Sequence, residues 1–472
     1  TTGGYNCAVG AYALDANTTG AENTAVGYNA LTANTTAGNN SAFGYGALRS
    51  NTTGQHNHAF GKVALASNTT ASSNTAVGAS ALASNTTGEK NTAVGSNSLD
   101  ANTTGNFSNA LGYDALTTNT TGSRNNAIGY NALYANTTGE RNVALGHETL
   151  AGNTTASYNT AVGANALNAN TTGTNNVAVG ANAGDSITTG SDNTALGRNA
   201  LQAATTTSNN TAIGNNALYS CTGADNIAIG RYAAMLTTSA NNNVVMGTNA
   251  FYTNTTGANN TSIGHNTLNQ NTTGTTNVAL GSYALDANTT ASYNTAVGDS
   301  ALTTNTTASH NTAIGRAALY ENTTGGNNVA VGSDALRKNT TASNNTALGF
   351  EALKENTTGI RNTSLGGSAL SSNTTGGANT AVGKDALAQN TTASNNTAVG
   401  SFVLDANSTG ASNTAVGTEA LTANTTGSNN SAIGVSALAI NTTGYESIAI
   451  GNGALYANTT GYRNTGIGYN VL

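Results

Sequence analysis

The aliphatic and polar positions of this chain follow one pattern. It is close to Thr-Thr-Gly-x-x-Asn-Thr-Ala-Val-Gly-x-x-Ala-Leu-x-x-Asn, seventeen residues long, and it runs from Thr1 to Leu472. Counting each unit from its Thr pair gives 28 copies, the last cut short, with a single one-residue slip in the stretch Thr205 to Ser220. Column 9 of the unit holds Val, Ile, Leu, Phe or Met in every copy, and column 14 holds Leu in all but three, which are Gly184, Ala234 and Phe251. A unit this short cannot bury a core alone and has to stack on its neighbours. The pattern therefore predicts an all-β solenoid, a β-roll or β-helix of 28 seventeen-residue coils, as one continuous domain over residues 1–472. Two short strands are expected per coil, one around Thr-Ala-Val-Gly and one around Ala-Leu.

The columns assign an inside and an outside. Columns 9 and 14, represented by Leu14, Val26, Leu31 and Ile450, are expected to form the core, with the mostly-Ala columns 8 and 13 marking close approach of backbones. Column 10 is Gly in every copy, including Gly10, Gly27, Gly230 and Gly451, as a corner with positive φ or no room for a Cβ would require. Columns 6 and 17 are mostly Asn. Stacked coils bring identical residues within about 4.8 Å, so Asn6 with Asn23 and Asn17 with Asn34 should begin two amide ladders. All 34 charged residues fall in columns 4, 5, 11, 12, 15 and 16, which marks those columns as external.

Residues 184–254 break the pattern in several ways at once. They hold the non-Leu residues of column 14, both Met residues, Cys221, and Ile187 and Ala204 where Asn is expected, so a local irregularity is predicted there.

Composition then narrows the function classes. With 7% charged residues, a net charge of −6 and no Pro or Trp, the chain shows no basic stripe that would point to nucleic acid or an anionic lipid surface. No apolar run approaches the about 20 residues of a membrane span, so membrane insertion is not expected. Cys7 and Cys221 lie many coils apart and cannot bridge in an extended stack. His56 and His58 are close, beside Lys62, but no carboxylate or Cys column adjoins them. No metal, cofactor or catalytic constellation is expected, and an enzyme is not predicted. Asn-Thr-Thr at most junctions matches the N-glycosylation acceptor, but an amide used in a ladder cannot carry a glycan.

The strand segments Asn176-Val177-Ala178-Val179-Gly180, Asn226-Ile227-Ala228-Ile229-Gly230 and Ser447-Ile448-Ala449-Ile450-Gly451 resemble the head repeats of YadA-type trimeric autotransporter adhesins. They are also similar to repeats of bacterial and phage fibre proteins. The resemblance implies a left-handed roll, three chains side by side and a surface-exposed adhesive or spacer role. The seventeen-residue unit is longer than the adhesin head repeat. The expectation is a non-enzymatic shaft or adhesive segment of an extracellular, cell-surface or virion fibre. Such a segment would self-associate as a homotrimer or filament, with outer residues such as Tyr28, Tyr45, Tyr113 and Tyr130 available to a surface or glycan ligand. The alternative is a soluble ice-binding solenoid, which needs a flat, regular Thr face.

Overall fold

The computed structural model describes residues 2–472 and is all-β, with 28 three-residue strands at one strand per repeat. The chain divides into two compact units, Thr1–Ser239 and Ala240–Leu472, the boundary lying inside the stretch read as irregular. The first unit carries β1 (Cys7–Val9) to β14 (Ile227–Ile229), and the second carries β15 (Val244–Met246) to β28 (Thr465–Ile467). Within each unit every strand pairs in parallel with the strand of the next coil. Identical columns lie opposite one another, as in Cys7↔Thr24, Ala8↔Ala25 and Val9↔Val26.

The expectation of two strands per coil does not hold. Only columns 7–9 are extended; Ala-Leu lies in consecutive tight turns. The cause is the backbone. Asn29 and Leu31, in columns 12 and 14, have φ of 56° and 50°, and left-handed residues interrupt any extended run. Hydrogen bonding between coils continues nonetheless, with Leu31 N–H donating to the Ala47 carbonyl at 3.0 Å and Ala33 N–H to that of Arg49 at 3.0 Å. Backbone groups thus remain paired without a second strand.

Gly10, Gly27, Gly230 and Gly451 make the corner after the strand, with φ between 127° and 135°. A Cβ on Gly27 would stand 2.5 Å from the carbonyl oxygen of Gly44 in the next coil, so conformation and space both demand glycine.

The core is narrower than the hydrophobic pattern implied. Leu31 is fully buried, and Leu14 in the first coil partly so, but Val26 is only half-buried and Ile450 is 38% exposed. Column 9 therefore faces outward, and the inward residue of each strand is the Ala of column 8, such as Ala25 and Ala449. Strand alternation puts columns 7 and 9 on one side and 8 on the other. The interior, already occupied by Leu31 and its equivalents and by two Asn columns, leaves space for a small side chain, Ala in most coils, with Val245, Ser262 and Ser364 as buried exceptions. Among the charged residues, Asp334 departs from the external assignment. It is 4% exposed and held by Arg316 at 2.7 Å.

The one-residue slip also sits differently from the sequence alignment. Cys221 N–H donates to the Leu218 carbonyl at 3.2 Å, as Asn34 N–H does to that of Leu31 at 3.2 Å, so Cys221 occupies column 17. Thr222 N–H then reaches the Thr238 carbonyl at 2.8 Å in the manner of column 1, and Gly223 follows directly. The missing residue is one Thr of the following pair.

Candidate functional site

Three features of the coil were candidates for function: the Asn columns, the outer strand face and the variable outer columns. The Asn columns are structural. In column 6, Asn23 N–H donates to Asn6 Oδ1 at 2.9 Å, and Asn23 Nδ2 donates to the same oxygen at 3.2 Å and to the Ala37 carbonyl at 2.9 Å. In column 17, Asn34 Nδ2 donates to Asn17 Oδ1 at 3.1 Å and to the Ala37 carbonyl at 3.0 Å. Both amide protons are used and Asn34 has no exposed surface, so the Asn-Thr-Thr acceptor is closed to modification in the folded coil. Column 1 hydroxyls are likewise engaged, as in Thr52 Oγ1 donating to the Thr69 carbonyl at 3.1 Å.

The column 17 ladder stops at Asn170, whose Oδ1 is buried without a partner. The next four occupants are Ile187, Ala204, Cys221 and Thr237, all buried. A Cβ on Gly184 would lie 3.0 Å from both Ile187 Cδ1 and Leu167 Cδ2. Ile187 thus supplies from column 17 the apolar volume that column 14 lacks in that coil. Thr207 and Thr237 hydroxyls in the same region are buried and unpartnered. Cys221 and Cys7 are both free thiols, and burial pushes that of Cys221 up to about 11. Burial also raises the carboxyls of Asp100, Asp185, Asp286 and Asp405, all in column 15.

The outer strand face was not legible from hydrophobicity. Column 9 presents an aliphatic residue, Phe or Met in every coil, while column 7 is most often Thr, with Val or Ile in some coils and Cys7, Ser41, His58, Asn109, Asn126 and Ser431 in others. Exposed aliphatic examples are Val143, Leu145, Val177, Ile227, Val278, Leu280, Ile448 and Ile450. No Asp, Glu, Lys or Arg stands in either column. Column 9 is thus a charge-free line of apolar side chains on the outside of the coil, flanked by the largely hydroxyl-bearing column 7.

The outer tyrosines stack on one another. Tyr28 and Tyr45 lie 5.5 Å apart at 12°, and Tyr113 and Tyr130 lie 5.9 Å apart at 8°, with Tyr130 continuing onto His147 at 5.2 Å. Faces turned toward neighbouring rings are not available to a sugar, which removes much of the stacking role expected of them.

Among the described residues no group of three or more His, Cys, Asp or Glu is placed to hold a metal ion, and no helix is long and apolar enough to cross a membrane. Comparison with protein-family models and with curated proteins found no match to this chain.

Proposed function

We propose that this protein is a non-enzymatic structural segment, the shaft or adhesive part of an extracellular or virion fibre, and that copies of it associate through the outer strand face. The observation that carries the reading is the outward apolar line of column 9, on a strand face where neither column 7 nor column 9 holds Asp, Glu, Lys or Arg. Each unit contributes fourteen rows to it. Column 9 alone then lines up fourteen apolar side chains per unit on the outside of the coil, and removing such side chains from water is what drives association. A second copy is the favoured occupant because its rows repeat at the same spacing. The Ala columns are consumed inside the coil and leave association to columns 7 and 9. The ladders and the in-register coils suit a role in bearing extension, since each coil holds only its neighbours.

The test is the mass per unit length of purified particles, read by scanning transmission electron microscopy. Two or three chains per ~4.8 Å rise are expected. Replacing Leu348 and Leu365, each over 40% exposed, by Lys should lower the count to one while leaving the circular dichroism spectrum unchanged.

A second reading is favoured by one observation: column 7 is most often Thr, as at Thr75, Thr92 and Thr397, on a regular face without charge. Single chains in the mass measurement together with thermal hysteresis would support ice binding. Single chains without hysteresis would remove both readings.

A further inference from the structure

The cations of this acidic chain fall into two environments. Arg316, Arg337, Lys338, Lys354, Lys384 and Arg463 each lie against a carboxylate, at 2.6 to 3.6 Å. The other eight of the 14 Lys and Arg residues do not, and three of these, Lys90, Arg124 and Arg141, stand in one column within four successive coils. In column 5, five successive coils present Lys90, Phe107, Arg124, Arg141 and Tyr158, all exposed. Lys90 Nζ lies 5.0 Å from the Phe107 ring centre and the Arg124 guanidinium 5.9 Å from it. Arg141 lies 5.2 Å from the Tyr158 ring centre, and its Nη1 donates to the Tyr158 hydroxyl at 2.7 Å. Backbone bonds fix the row from beneath: Arg124 N–H donates to the Asn106 carbonyl at 2.9 Å and Arg141 N–H to that of Ser123 at 3.0 Å. The exposed carboxylates of the adjoining column 4, Glu89 and Glu140, pair with none of the three cations.

We propose that this row is a binding site for an acidic polysaccharide, a linear chain of carboxylated or sulfated sugars lying parallel to the stack. The rings hold the cations in place, so less side-chain entropy is lost on binding. Arg124 and Arg141 occupy adjacent rungs, about 4.8 Å apart, and the span from Lys90 to Arg141 is about 14 Å. Planar guanidinium groups suit the paired oxygens of carboxylate and sulfate. Nucleic acid fits less well. A duplex strand repeats its phosphates every 3.4 Å, out of step with the rungs. Single strands need free aromatic faces, whereas Phe107 has cations from the coils on both sides and Tyr158 has one. The proposal names a ligand class for the adhesive reading above, and its test does not depend on chain association.

Binding of fluorescently labelled dextran sulfate is measured by anisotropy at rising salt, with neutral dextran and a thymidine oligonucleotide as comparators. Dextran sulfate should bind and neutral dextran should not. The exposed double variant R124S/R141S should weaken binding about tenfold or more, through loss of two charge-assisted contacts. K384S/R463S, with the same change in net charge but drawn from paired cations, should stay within about twofold of the parent, as expected for screened surface charges. The proposal is overturned if dextran sulfate fails to bind, if both variants weaken it equally, or if the oligonucleotide binds as tightly with the same dependence on Arg124 and Arg141.

Discussion

Leu in column 14 is the residue on which the coil's geometry and its core collide. A left-handed L-residue costs about 1–2 kcal/mol, yet Leu31, Leu302 and their equivalents hold φ near 50°. Full burial of a Leu side chain, worth about 1.5–3 kcal/mol, offsets that strain. Gly184 shows the other solution, in which glycine relieves the backbone and Ile187 fills the space. The pair should be coupled. I187N alone is expected to destabilise the protein by opening a cavity beside Gly184, although it offers a donor to Asn170 Oδ1. G184L alone should clash with Ile187, and the double variant should recover about 1–3 kcal/mol relative to the sum of the single changes, read from a denaturant double-mutant cycle. Cys221 makes a second prediction at this scale. Its folded thiol titrates at about 11 against an ordinary 9.0, so above pH 9 the unfolded chain loses a proton that the folded chain keeps. Stability should therefore fall as pH rises from 9 to 11, by roughly 2–3 kcal/mol at most, and C221S should lack that component of the fall.

At the level of the element, the unit is one short strand, a glycine corner and two tight turns, joined to its neighbours by amide ladders. Removing an interior rung tests what a ladder contributes. In N305A the neighbours Asn288 and Asn322 each lose a partner, and Ala308 loses a donor to its carbonyl. Buried unsatisfied groups cost about 1–3 kcal/mol each, so N305A should lower stability by several times the effect of substituting an exposed residue such as Thr307 by Ala, measured by thermal unfolding. Column 10 should be less tolerant still. Gly281 has φ of 131° and faces the Gly298 carbonyl, so G281A is expected to abolish local protection rather than trim it.

For the molecule as a whole, stability in a stack is approximately a sum of coil and nearest-neighbour terms. The first unit contains four successive coils without a column 17 ladder, from Ile187 to Thr237, and two unpartnered hydroxyls. Amide hydrogen exchange should therefore show its lowest protection there, well below that of coils such as those around Asn68 and Asn119, whose ladders are intact. Uniform protection across the first unit would mean that packing of Ile187 and its neighbours replaces the ladder fully.

The period, the stacking of like on like, the glycine corners and the Asn ladders were all determined by the sequence itself. Each needs only that residue n meet residue n + 17, and repetition makes that pairing visible. Three things were decided only in three dimensions. A three-residue strand has two faces, and aliphatic Val26 looked a better core residue than Ala25. The closed coil, filled by Leu31, Asn23 and Asn34, leaves room inside for a small residue, Ala in most coils. The second strand failed because left-handed φ at Leu31 is a property of the closed turn, not of leucine. The row from Lys90 to Tyr158 follows the same n + 17 rule, but net charge averages over it and the sequence does not show that its cations lie against rings. Stacking alone sets them side by side, and only the coordinates show which cations lack a carboxylate.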